Sequence, residues 1–78
     1  MALAKLEREM AVRGQGCLGK AADDEPVFIL RAQDAFAAAL VEKWANFAEE
    51  ADCRPEKVAE ARELAKAMRR WPTKKLPD

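Results

Sequence analysis

Between Ala35 and Trp71, apolar side chains recur every three or four residues, the spacing that lines one face of an α-helix. Phe36, Leu40, Val41, Trp44, Phe47, Ala48 and Ala51 predict a helix over about 35–51 with a broad buried face. Glu42, Lys43, Asn46, Glu49 and Glu50 take its wet side. Asp34 stands ahead of it as an N-cap, its carboxylate placed to accept from the free amides of the first turn. Val58, Ala61, Leu64, Ala65, Met68 and Trp71 form the stripe of a second helix over 55–71, opened by Pro55 and stopped by Pro72. Glu56 in its first turn and Arg69 and Arg70 in its last suit the helix dipole. The connector 52–54 is short, so the fold class is mainly α, with an antiparallel helical hairpin at its centre. Trp44 and Trp71 are expected to cap the hairpin's packing at different levels.

Upstream, Leu3, Leu6, Met10 and Arg13 lie at helical spacing and predict a short amphipathic helix over 2–13 with one narrow apolar stripe. Gly14 and Gly16 end it, and residues 14–26 read as a loop closed by Asp23, Asp24, Glu25 and Pro26. Val27-Phe28-Ile29-Leu30-Arg31-Ala32-Gln33 reads as a short strand or extended segment. A buried first helical turn is the competing reading, because Pro26 also suits the first position of a helix. Helix 2–13 and segment 27–33 are expected to cover the hairpin's apolar faces, within the chain or from a second subunit. The tail 72–78 is expected to be loose unless Leu76 packs, and 1–16 to be peripheral to a single domain spanning 1–78.

Size sharpens this picture. A chain of 78 residues has a thin stability margin and ordinarily recruits a disulfide, a metal or another copy of itself. Cys17 and Cys53 are too few for a disulfide scaffold and lack metal-ligand spacing, although a bridge between them stays open on sequence grounds. The absence of histidine removes the commonest metal ligand and general base. Oligomerisation is the remaining staple, and a homodimer is expected. No apolar run approaches the roughly 18 residues of a membrane span. Residues 1–13 lack the features of a signal peptide, and a reducing cytoplasm is the expected location.

Net charge is zero but uneven, with seven bases against four acids over 55–78. Lys66, Arg69, Arg70, Lys74 and Lys75 surround Trp71, so phosphates could be neutralised there and a base stacked. Basic residues at a helix C-terminus are equally what the dipole favours. The order extended segment, helix, turn, helix also fits a ribbon-helix-helix dimer, in which 27–33 pairs with its twin in the major groove. Arg31 and Gln33 would then point outward with Ile29, while Phe28, Leu30 and Ala32 face the core. Against it, the following helix is long and the outward face carries a single cation. Three further features read as bland. Asp23, Asp24 and Glu25 lack EF-hand spacing. The thiols have no histidine to activate them. The run GQGCLGKA has P-loop spacing without the hydroxyl that binds magnesium.

The stretch CLGKAADDEPVFILRAQD, Cys17 to Asp34, with the closing WPTKKLPD, Trp71 to Asp78, resembles small uncharacterised proteins encoded in bacteria and their phages or prophages. The resemblance covers most of 17–78, and 1–16 are particular to this chain. It implies no activity and no site residues. It does imply a setting in which short helical proteins bind and disable a host protein, an antiviral defence complex being one such target.

The expected function is therefore that of a non-enzymatic protein-binding module, dimeric and built on the hairpin, with no catalytic, metal or cofactor site. Arg31, Gln33, Lys66, Arg69, Arg70, Lys74 and Lys75 are its expected partner-binding residues. The alternative is a small dimeric DNA-binding regulator that uses Arg31 and Gln33 or the basic C-terminal end.

Overall fold

Alanine decides how the two long helices meet. The computed structural model describes residues 2–77, with Met1 and Asp78, the outermost residues of the expected domain, lying outside it. It contains helices α1 (Ala4–Val12), α2 (Gly16–Lys20), α3 (Ala37–Glu50) and α4 (Pro55–Arg70), and no strand among the described residues. Helices α3 and α4 pack against one another as the expected antiparallel hairpin. Their seam consists of Ala37, Ala38, Ala45 and Ala48 from α3 and Val58, Ala65 and Met68 from α4. It forms two clusters. Ala45, Ala48 and Val58 lie towards the connector, and Ala37, Ala38 and Met68 at the open end. Leu30, Ala32, Val41 and Leu64 pack on the second cluster.

The turn between α3 and α4 is a Schellman motif. The Cys53 amide donates to the Ala48 carbonyl at 3.0 Å and the Asp52 amide to that of Glu49 at 3.1 Å. Closing it puts Asp52 at φ 58°, a left-handed conformation in a residue that carries a Cβ. The helix start differs from expectation. Asp34 caps a turn rather than the helix itself, accepting from the Phe36 amide at 2.8 Å, and α3 begins at Ala37.

The expected loop 14–26 is corrected over its first half, where α2 folds back on α1. Gly14, at φ 70°, closes a second Schellman motif, with Gln15 donating to Met10 at 2.8 Å and Gly14 to Ala11 at 3.0 Å. Gly19 then lies so close that a Cβ there would sit 2.8 Å from the Gly14 carbonyl carbon. In sequence, the glycines that permit this approach look like loop. This arm does not cover the hairpin: no Cα of α1 or α2 comes within 8 Å of α3 or α4.

Residues 27–30 lie outside any helix, and no strand forms there. Leu30 and Ala32 turn inward, as the ribbon-helix-helix alternative requires, whereas Phe28, which that reading also places in the core, is 83% exposed. The tail is not loose at 74–75. Lys75 donates its amide to Gln33 at 2.8 Å and accepts from Ala35 at 2.9 Å, a single parallel bridge. The Lys74 ammonium reaches the carbonyls of Ala32 and Met68, tying the turn before α3 to the end of α4. Leu76 stays exposed.

Two substitutions test this architecture by urea denaturation at fixed protein concentration. Ala45→Leu, at a site with no accessible surface, should wedge the seam apart and destabilise the fold by about 1–3 kcal/mol. Asp52→Gly should relieve the left-handed turn and stabilise by about 0.5–1 kcal/mol.

Candidate interaction surface

The hairpin has two unlike flanks. Successive residues of α3 advance by about 100° around its axis, so the alanine arc and the arc of Phe36, Leu40, Trp44 and Phe47 lie side by side. The first faces α4. The second was expected to be core, yet Trp44 is 55% and Phe47 61% exposed, with Phe36 and Leu40 close behind. Leu64 of α4 packs instead on the Ala37–Ala38–Met68 cluster, and Trp71, beyond the end of α4, is exposed rather than capping the seam. The signal for this surface was present in the sequence: the apolar arc of α3 is wider than one partner helix can cover.

The opposite flank is charged and internally paired. The Arg62 guanidinium donates to both oxygens of Glu49, at 3.0 and 3.2 Å, and to Asn46 Oδ1 at 3.3 Å. Two turns along, Arg69 donates to Glu42 at 2.7 Å. The fork of hydrogen bonds from Arg62, and its charge, hold the Glu49 carboxyl below the usual glutamate range and raise the guanidinium in return. An open hollow of about 330 Å³ lies beside this pair, lined by Glu49, Asp52, Cys53, Pro55, Val58 and Arg62.

A third surface is made by residues 27–31 and the tail. Val27, Phe28 and Ile29 are exposed, and no backbone N–H or C=O of 27–30 is hydrogen-bonded to another described residue. Next to them Ile29, Arg31, Gln33, Asp34, Lys75, Leu76 and Pro77 line a shallow cavity of about 130 Å³.

The expected partner-binding residues are therefore divided. Arg31, Gln33 and Lys75, drawn from two separate stretches of sequence, meet in that cavity. Lys66 is paired with Glu63 on its own helix at 3.2 Å, and Arg69 with Glu42. Lys74 is occupied by backbone carbonyls, and Arg70 is exposed at the end of α4. The basic end is thus no continuous field of available cations. Sequence reasoning missed Phe28, Phe36, Leu40, Trp44 and Phe47 as surface groups.

The other motifs have structural explanations. Glu25 accepts from the Ala22 amide at 3.1 Å and donates its own amide to the Ala22 carbonyl at 3.0 Å, closing a turn. GQGCLGKA is largely taken up by α2. Cys17 and Cys53 are free, exposed thiols. Among the described residues no group of three or more Cys, Asp or Glu could hold a metal ion, and no helix is long and apolar enough to cross a membrane. Family models, curated proteins and solved structures were each compared with the chain, and none matches.

The Glu49–Arg62 pair gives folding a pH dependence of defined sign. A carboxyl with a lowered folded-state pKa contributes stability that is complete above the ordinary glutamate range and lost as pH falls through the lowered value. Urea midpoints taken from about pH 6 down to about pH 3 should therefore fall more steeply in the wild type than in Glu49→Gln. Parallel profiles would show that the pair does not form in solution.

Proposed function

We propose that the protein is a non-enzymatic protein-binding module that offers residues 27–30 to a partner as an added strand. The observation that carries this reading is a Val27-Phe28-Ile29-Leu30 backbone that lies outside any helix and has no hydrogen-bonding partner among the described residues, with Val27, Phe28 and Ile29 exposed to water. A backbone in this state is a template for pairing with a sheet edge. Main-chain hydrogen bonds would supply affinity, and pockets for alternate side chains would supply specificity. Phe28 and Ile29 would be the apolar anchors. Arg31, Gln33 and Lys75, gathered in the adjoining cavity, would supply the polar rim.

The resemblance of 17–34 and 71–78 to bacterial and prophage proteins supports a host protein as the partner, an antiviral defence complex among the candidates, met in the cytoplasm. The DNA-binding alternative is weakened by the ion pairs and backbone contacts that occupy Lys66, Arg69 and Lys74. Phosphate binding relies on free cations that displace the counterions condensed on the nucleic acid, and those side chains are already engaged.

The test is retention of proteins from a bacterial host extract on the immobilised chain. Phe28→Asp, with helicity verified by circular dichroism, should reduce capture of a specific protein at least tenfold, because the charge would be desolvated in the interface. Capture unchanged by Phe28→Asp would overturn the reading. So would DNA binding that falls steeply with salt and accounts for all retention.

A further inference from the structure

We infer that the Phe36–Leu40–Trp44–Phe47 flank of α3 is the seat of a second copy of this chain, packed antiparallel about a two-fold axis. This surface is separate from residues 27–30, so it stands whether or not the partner strand of the preceding proposal exists.

The first argument is area. The chain exposes 6508 Å², where a compact monomer of its mass exposes about 4,700 Å². The surplus of roughly 1,800 Å² exceeds the approximately 800 Å² per partner that a specific interface buries. Its radius of gyration, 13.3 Å, likewise exceeds the roughly 11.5 Å of a compact domain of this length.

The second argument concerns what is missing inside. Among the described residues no large side chain is fully buried, and five of the seven buried hydrophobic residues are alanine. Such a core leaves a short chain in need of a staple, yet the thiols are free and the described residues hold no metal cluster. A cover required for folding must be present wherever the chain is made, and a twin always is. Zero net charge removes the long-range repulsion that would oppose the encounter.

The third argument is charge complementarity, and it sets the register. Lys43 and Glu50 lie seven residues apart along the outer rim of the apolar arc, both exposed. Neither has an ion-pair or hydrogen-bond partner among the described residues. A two-fold antiparallel pairing sets each Lys43 opposite Glu50 of the second copy, twice over. The same register lays Trp44 beside Phe47 of the second copy, at the centre of the contact. Four helices then enclose the large apolar side chains that α4 leaves uncovered.

Sedimentation equilibrium of the full chain, with tryptophan emission read in a Trp71→Phe background, tests this directly. The expected result is a dimer whose Trp44 emission moves to shorter wavelength as the dimer forms. Lys43→Glu and Glu50→Lys, both at exposed positions the fold does not need, should each weaken the dimer about tenfold. The double reversal should restore it, and so should an equimolar mixture of the two single variants, because both rim pairs regain opposite charges. A monomer at every concentration would overturn the inference. So would a dimer indifferent to the reversals and to Trp44→Ser.

Discussion

The closeness of α3 and α4 is the constraint from which the rest of the structure follows. Alanine at 37, 38, 45 and 48 and at 65 lets two helix backbones approach further than leucine would allow. Alanine also loses no side-chain entropy on packing and is the best helix former. Each contact, however, removes little apolar surface from water, and the stabilisation scales with that area. The bulky residues of α3 cannot enter so narrow a seam. They are displaced around the helix, and the surface chemistry of the protein is largely the chemistry of what the seam excludes.

This also explains which parts of the fold were legible in the sequence. Pro55, Pro72 and the short connector placed both long helices to within two residues, because backbone geometry at those points admits few alternatives. Which arc of α3 would be buried was not legible. Hydrophobicity ranks Phe36, Leu40, Trp44 and Phe47 above alanine as core, whereas the interhelical distance selects against them. The second half of the N-terminal arm was hidden for a related reason. Gly14 and Gly19 are read as flexibility, but here one supplies a left-handed turn and the other the absence of a Cβ where two backbones touch. Periodicity records which positions share a face, and it is silent about how near the neighbour comes.

The candidate site was partly legible. Arg31 and Gln33 were singled out from the extended segment and Lys75 from the tail, and the fold joins them by means the sequence does not advertise. Lys74 is the link. Its ammonium, expected to face a partner, satisfies the carbonyl of Met68 in the last turn of α4 and that of Ala32 before α3. A charge that reads as a ligand-binding group is a structural fastener, and by fastening the tail it brings Lys75 beside Gln33.

The separation between the N-terminal arm and the hairpin has a consequence for how the molecule comes apart. With α1 and α2 in mutual contact and no Cα of either within 8 Å of α3 or α4, the arm gains little from the hairpin's cooperativity. A nine-residue helix braced by a five-residue one is below the length at which helices persist alone in water. Amide hydrogens of residues 4–20 therefore exchange through local opening at little energetic cost, while those at the centre of α3 and α4 wait for global unfolding. Proteases meet the chain first in the arm, and a trimmed molecule would keep its hairpin.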